Sequence, residues 1–183
     1  MIKDIRAHRR RIKAFGGKLK CRYAFTDYYY RPEKKIWGPI RRILRIRHWS
    51  KAHEPTTIYF VKNEIIESKR IKFKRSVYPE GKLALFSGSL KRCREILTDL
   101  DFVEWITIKK QRAEFWDIPK YKFGTVIEYI PGLGWSGEVE VEGSRVQQAK
   151  NKLEKQLKIL NVEPEQADFR PISVIYAEKL GKL

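Results

Sequence analysis

RILRIRHW, residues 42–49, sets Arg45 and Arg47 on one side of an extended chain and Leu44 and Ile46 on the other, because side chains two apart in a strand share a face. Other stretches repeat the pattern. Arg70, Lys72 and Lys74 alternate with Ile71 and Phe73, Lys110 is spaced to share a face with Arg112, and Glu138, Glu140 and Glu142 alternate with Val139 and Val141. The apolar faces read as buried under helices, and the charged faces as turned inward across a barrel or concave sheet. Burying so many charges in a dry interior would be prohibitive, so the concavity has to hold water, counter-charges or an ionic ligand. An open sheet with helices on one face and solvent on the other gives the same alternation.

Around this segment lie further runs rich in β-branched and aromatic residues: CRYAFTDYYYR (21–31), TTIYFVKNE (56–64) and SKRIKFKRSVY (68–78). Turn formers separate them at Arg31-Pro32, His53-Glu54-Pro55 and Pro79-Glu80-Gly81, as in an antiparallel meander. Three more strands are expected in VEWITIKKQRAEFW (103–116), KFGTVIEYI (122–130) and SGEVEVE (136–142), with Pro131-Gly132 between the last two. Helices are expected over 2–15, stopped by Gly16-Gly17, and from the N-cap Ser89 with Leu90, Cys93, Leu97 and Leu100 at helical spacing. Another starts at Ser144, with Val146, Ala149, Leu153, Leu157 and Leu160 on its apolar face, and a short one closes the chain in PISVIYAEKL (171–180). The fold class is α+β: an antiparallel β-barrel or tunnel with helices packed outside, in one domain spanning 1–183.

The composition fits a folded, anion-seeking protein. The 183 residues carry a formal net charge of +18, yet 42% are hydrophobic and 13% aromatic, too many for a charge-repelled disordered chain. Residues 1–75 hold 23 Lys/Arg against 6 Asp/Glu, whereas the rest hold 17 against 16. Such a field attracts nucleic acid or nucleotide phosphates. Cys21 and Cys93 are too far apart for a zinc pair or a redox dithiol, and Cys93 reads as a small core residue. No leader-like apolar region or run of eighteen apolar residues occurs, so a cytoplasmic protein with no membrane partner is expected. His8, His48 and His53 have no metal-ligand spacing, and nothing supports a nucleophilic triad.

The ordered series DYYYRP, LRIR, TIYFVK, a helix ending ILTDLDF, a KKQR strand and VIEYIPGLGWSGEVEVE resembles the CYTH, or triphosphate tunnel, family, which includes class IV adenylyl cyclases and thiamine triphosphatases. The resemblance runs from about Phe15 to about Leu160. It matches Asp27 and Tyr28, then Leu44, Arg45 and Arg47, then Lys62, to the family's first strands. It matches Lys110 and Arg112 to the K-x-R strand, Glu128 to the acidic residue before the Leu133-Gly134 turn, and Glu138 and Glu140 to the final E-x-E strand. Two departures stand out. The opening E-x-E-x-K strand is absent, since the chain begins at the following helix, and Arg70, Lys72 and Lys74 stand where relatives commonly carry inward acidic residues.

What the resemblance implies is a triphosphate or nucleotide ligand held by Arg45, Arg47, Lys62, Lys110 and Arg112, with Mg²⁺ or Mn²⁺ on Glu128, Glu138 and Glu140; the departure at Arg70, Lys72 and Lys74 adds these three to the expected phosphate contacts and moves the balance towards anion binding. Phosphoryl or nucleotidyl transfer needs cationic donors on the oxygens and usually a divalent ion, which one or two carboxylates plus substrate phosphate can hold. The activity implied is metal-dependent hydrolysis or cyclisation of a triphosphate. The alternative is a non-catalytic CYTH-like module that binds RNA or nucleotide phosphates. GEVEVEG also suits a solvent-facing edge strand whose charges block aggregation. The strip Arg9, Arg10, Arg11 and Lys13 reads as a solvated helix face or an RNA contact, and Tyr28, Tyr29, Tyr30, Trp37 and Trp49 as packing or base-stacking residues.

Overall fold

The computed structural model describes residues 1–34, 37–50, 54–68, 71–141 and 145–183; His53, Arg70, Glu142 and Ser144, all named above, lie outside them. In chain order come α1 (Ile5–Ala14), β1 (Lys18–Pro32), β2 (Arg42–Trp49), β3 (Thr56–Ser68), β4 (Ile71–Ser76) and β5 (Leu83–Gly88). Then follow α2 (Leu90–Asp99), β6 (Phe102–Ile118), β7 (Phe123–Ile130), β8 (Gly134–Val139), α3 (Val146–Leu160) and α4 (Ile172–Lys179). The strands hydrogen-bond in the order β4-β3-β2-β1-β6-β7-β8, and β5 pairs with β3. The β1–β2, β2–β3, β3–β5, β6–β7 and β7–β8 ladders are antiparallel, so the expected α+β class is the observed one.

The chain divides into two compact units, and β1 and β6 contribute to both. One unit comprises Met1–Tyr23, Ser68–Ile71 and Gln111–Asp168. Its core joins Ile12 of α1, Trp116 and Ile118 of β6, Ile127 of β7 and Ile159 and Leu160 of α3. Asp4 caps α1 by accepting hydrogen bonds from the Arg6 and Ala7 amides. The helix stops where Gly16 takes φ +82° and where a Cβ on Gly17 would come within 2.7 Å of the Ile12 carbonyl oxygen. Only glycines let the chain turn back so tightly.

The other unit comprises Ala24–Glu67, Lys72–Lys110 and Phe169–Leu183. Here α2 covers one face of β1, β2 and β3: Cys93 and Leu97 pack with Tyr30, Leu44, Ile46 and Ile58. Cys93 is fully buried, as a small apolar residue should be, whereas Cys21 is exposed. Tyr28, Tyr30 and Trp37 belong to this same core, with the Trp37 ring 5.5 Å from Phe102. All three contribute apolar surface to this core.

Ser89 caps α2, accepting from the Arg92 amide at 3.2 Å. Ser89→Ala removes that acceptor and is expected to cost about 1 kcal/mol, read as a lower denaturation midpoint at unchanged slope. An unchanged midpoint would show that solvent replaces the cap without loss.

Candidate anion-binding site

The site-bearing face in the second unit follows from register. In the β1–β2 ladder Asp27 lies opposite Arg47, Tyr29 opposite Arg45 and Phe25 opposite Trp49. These six residues share the face opposite to Leu44 and Ile46, and β3 adds Thr57 and Tyr59 across from Arg47 and Arg45. Asp27 is completely buried. Arg47 grips it through both oxygens: Nε donates to Oδ1 and Nη2 to Oδ2, each at 2.8 Å. Arg45 Nη1 stands 3.6 Å from Oδ2, and the Tyr29 hydroxyl donates to Oδ2 at 3.3 Å.

Lys110, itself buried, is the third cation acting on this carboxylate. Its ammonium lies 5.0 Å from the centre of the Phe25 ring, and the Arg47 guanidinium covers the same ring at 3.8 Å. Burial by itself would raise the Asp27 pKa. The charge of Arg45, the hydrogen bond and charge of Arg47 and the charge of Lys110 together outweigh it, holding the carboxyl well below the usual range. Burial, then the Asp27 charge, pushes the Tyr29 phenol up, so Tyr29 stays a donor at neutral pH.

Three cations from β2 and β6 thus converge on one carboxylate from β1. The side chains of Arg45 and Arg47 are only 16% and 11% exposed. Held in fixed planes with little water around them, guanidinium groups are well suited to multiply charged oxyanions, which they bind in pairs of parallel hydrogen bonds. On the same face, Thr57 Oγ1 and Ser87 Oγ lie 2.9 Å apart and offer neutral hydroxyls.

Lys62 pairs with Arg42 in the β2–β3 ladder, which puts it on the face of Leu44 and Phe60, opposite to Arg45, and it is exposed. Lys72 forms an ion pair with Glu67 and sits 4.6 Å from the centre of the Phe169 ring. Lys74 is half-buried on the same face of β4, away from the buried Ile71 and Phe73. Arg70 is outside the described residues. The strip on α1 is partly engaged, since Arg9 grips Glu114 and Arg11 donates to the Ile159 carbonyl at 2.6 Å.

Arg112 belongs to the first unit, is exposed and pairs with Tyr129, on the face of Glu114 and Ile127. Glu128 pairs with Ala113 and Ser136, hence on the opposite face, and is buried. Glu138, opposite Val126, falls on the same face as Glu128 but is exposed, as is Glu140 beyond the end of β8. Among the described residues no group of three or more His, Cys, Asp or Glu is placed to hold a metal ion.

Sequence reading passed over one acidic residue of this unit, Glu114. Glu114 accepts from Arg9 Nε at 3.0 Å, Arg9 Nη2 at 2.9 Å and Trp116 Nε1 at 2.9 Å, and Arg22 approaches to 3.7 Å. It ties α1 to β6. Nothing in AEFW signals this, because its main partner lies 105 residues away.

No family model matches the chain, and no curated protein matches it in sequence. Solved structures do match. The PH1819 protein of Pyrococcus horikoshii OT3 is similar at TM-score 0.67 and 18% identity, over 96% of this chain and 95% of that one. A candidate adenylate cyclase from Vibrio parahaemolyticus is similar at TM-score 0.67 and 12% identity, over 96% and 93%. A candidate adenylyl cyclase from Hippeastrum, described as having a dominant triphosphatase activity, is similar at TM-score 0.57 and 14% identity, over 100% and 93%. What this chain shares with all three, at these identities, is the fold.

Proposed function

We propose that the Asp27, Arg45, Arg47 and Lys110 cluster binds the phosphates of a triphosphate or nucleotide, and that the chain hydrolyses or cyclises that ligand with Mg²⁺ or Mn²⁺. The observation that carries this reading is the convergence of three cations, two from β2 and one from β6, on one buried carboxylate of β1. The fold shared with a candidate adenylate cyclase and with a protein of dominant triphosphatase activity supports it. Arg45, Arg47 and Lys110 would clamp phosphate oxygens, and Tyr29 and Asp27 would keep the two guanidiniums in place. A divalent ion, when bound, would neutralise charge developing on the transferred phosphoryl group. Glu128, Glu138 and Glu140 are the carboxylates proposed to hold such an ion.

A second reading is a binding module without catalysis, for RNA or nucleotide phosphates. The spread of Glu128, Glu138 and Glu140 between buried and exposed positions favours it.

Inorganic tripolyphosphate tests both readings. A ligand that binds only the folded protein at one hundred times its Kd adds about 2.7 kcal/mol of stability, so the melting temperature should rise clearly in low salt. No rise at millimolar tripolyphosphate, with or without Mg²⁺, would remove the clamp. Phosphate release with Mg²⁺ or Mn²⁺ decides for the enzyme, and binding with no release under any metal decides for the module.

A further inference from the structure

We propose that the second unit carries another ligand site, a pocket for a planar aromatic ring bearing an anionic substituent. The pocket has a volume of about 420 Å³ and lies where the end of β1, the start of β2, the start of β6 and α4 meet. That volume is within the range of small-molecule sites. This inference does not rest on the reading of the Asp27 cluster.

Three observations define the ligand. Tyr30, Trp37 and Trp105 line the pocket with ring surface, which a flat ring covers well. Trp105 is fixed by donating its indole N–H to the Lys182 carbonyl at 3.2 Å. The second observation is Ser173, in the first turn of α4: it lines the pocket, is 1% exposed, and its hydroxyl finds no hydrogen-bond partner among the described residues. A buried hydroxyl without a partner is costly, so a ligand ring nitrogen or carbonyl at this depth would gain a bond the empty pocket does not offer. Thirdly, Arg31, Lys34 and Arg42 also line the pocket, and all three are exposed. With Glu33 as the acidic lining residue, they leave the exposed lining positive, whereas the buried lining of Tyr30, Leu44 and Ser173 is apolar and hydrogen-bonding, so the ring belongs inside and the anionic group outside.

The anion could be a phosphate on a nucleobase derivative or a carboxylate on a simple aromatic acid, and two probes separate these sources. Adenosine 5′-monophosphate and naphthalene-1-carboxylate are titrated by calorimetry into wild type, Trp105→Ala, Ser173→Ala, Val103→Trp and Lys110→Met. Val103 lines the pocket from an exposed position, so Val103→Trp fills it without removing a contact and serves if Trp105→Ala does not fold. At least one probe should bind wild type and Lys110→Met within twofold of each other, and at least tenfold more weakly to Trp105→Ala or Val103→Trp. Ser173→Ala should weaken the same probe at least threefold. Binding of neither probe at millimolar concentration overturns the proposal. So does binding that falls in Lys110→Met and survives Val103→Trp, which would assign the probe to the Asp27 cluster. Tripolyphosphate affinity measured on the same variants reports that cluster separately, so either idea can fail alone.

Discussion

Asp27→Asn is expected to destabilise the protein by about 3–5 kcal/mol, the usual cost of removing one partner from a buried ion pair. The substitution keeps the shape of the side chain and removes the charge that Arg45, Arg47 and Lys110 share. For a chain of this size the loss corresponds to a fall in melting temperature on the order of 10 °C. The pH dependence has a definite sign. The folded pKa of Asp27 lies below its unfolded value, so its contribution is fully present above roughly pH 4 to 5 and is lost as pH falls through the folded pKa. The acid limb of the stability curve should therefore be shallower in Asp27→Asn than in wild type. Tripolyphosphate should also raise the melting temperature of the variant more than that of wild type, because the added anion takes the place of the missing carboxylate. Denaturant titrations between pH 7 and pH 2 check the first point. A loss under 1 kcal/mol with an unchanged acid limb would mean that the cluster is not an energetic unit.

The elements were legible where local signals agreed. RILRIRHW gave β2 its observed ends, and Ser89 placed α2 to the residue, because alternation and capping are written in neighbouring side chains. β5 was missed: in LALFSG, Leu85 and Phe86 are exposed, so no apolar alternation marks it, and only its ladder with β3 makes it a strand. β1 starts earlier than its aromatic run, at Lys18, where exposed lysines carry no burial signal. Within the site, Arg45 and Arg47 were legible as a pair because two residues in one strand share a face whatever the neighbours do. Lys62 was not, since its face depends on the register between β2 and β3, and that is set by pairing rather than by its own segment. Asp27 entered the sequence reading only as a match to a family strand. Its place at the centre of the cluster depends on Arg47, 20 residues on, falling directly opposite.

Lys110→Met is expected to weaken tripolyphosphate binding by about 10- to 150-fold while leaving the fold in place. The choice of residue matters, because Arg47→Ala would take from Asp27 both of its 2.8 Å hydrogen bonds and confuse lost affinity with lost structure. Lys110 acts on Asp27 through charge, and Asp27 keeps the Arg47 fork, the Arg45 guanidinium and the Tyr29 hydroxyl when the ammonium is gone. Methionine retains an unbranched apolar stem beside the Phe25 ring, where the ammonium now lies. The expected loss is that of a hydrogen bond to a charged group, about 1.5–3 kcal/mol, and it should shrink as salt is added, since part of it is charge attraction over distance. Calorimetric titration at two ionic strengths, alongside a melting curve of the unliganded variant, separates the contributions. Unchanged affinity in a variant that melts like wild type would show that the anion, if bound, lies away from the cluster. A loss of affinity matched by a collapse of the melting temperature would instead make Lys110 a structural counter-charge, and the clamp would then have to rest on Arg45 and Arg47 alone.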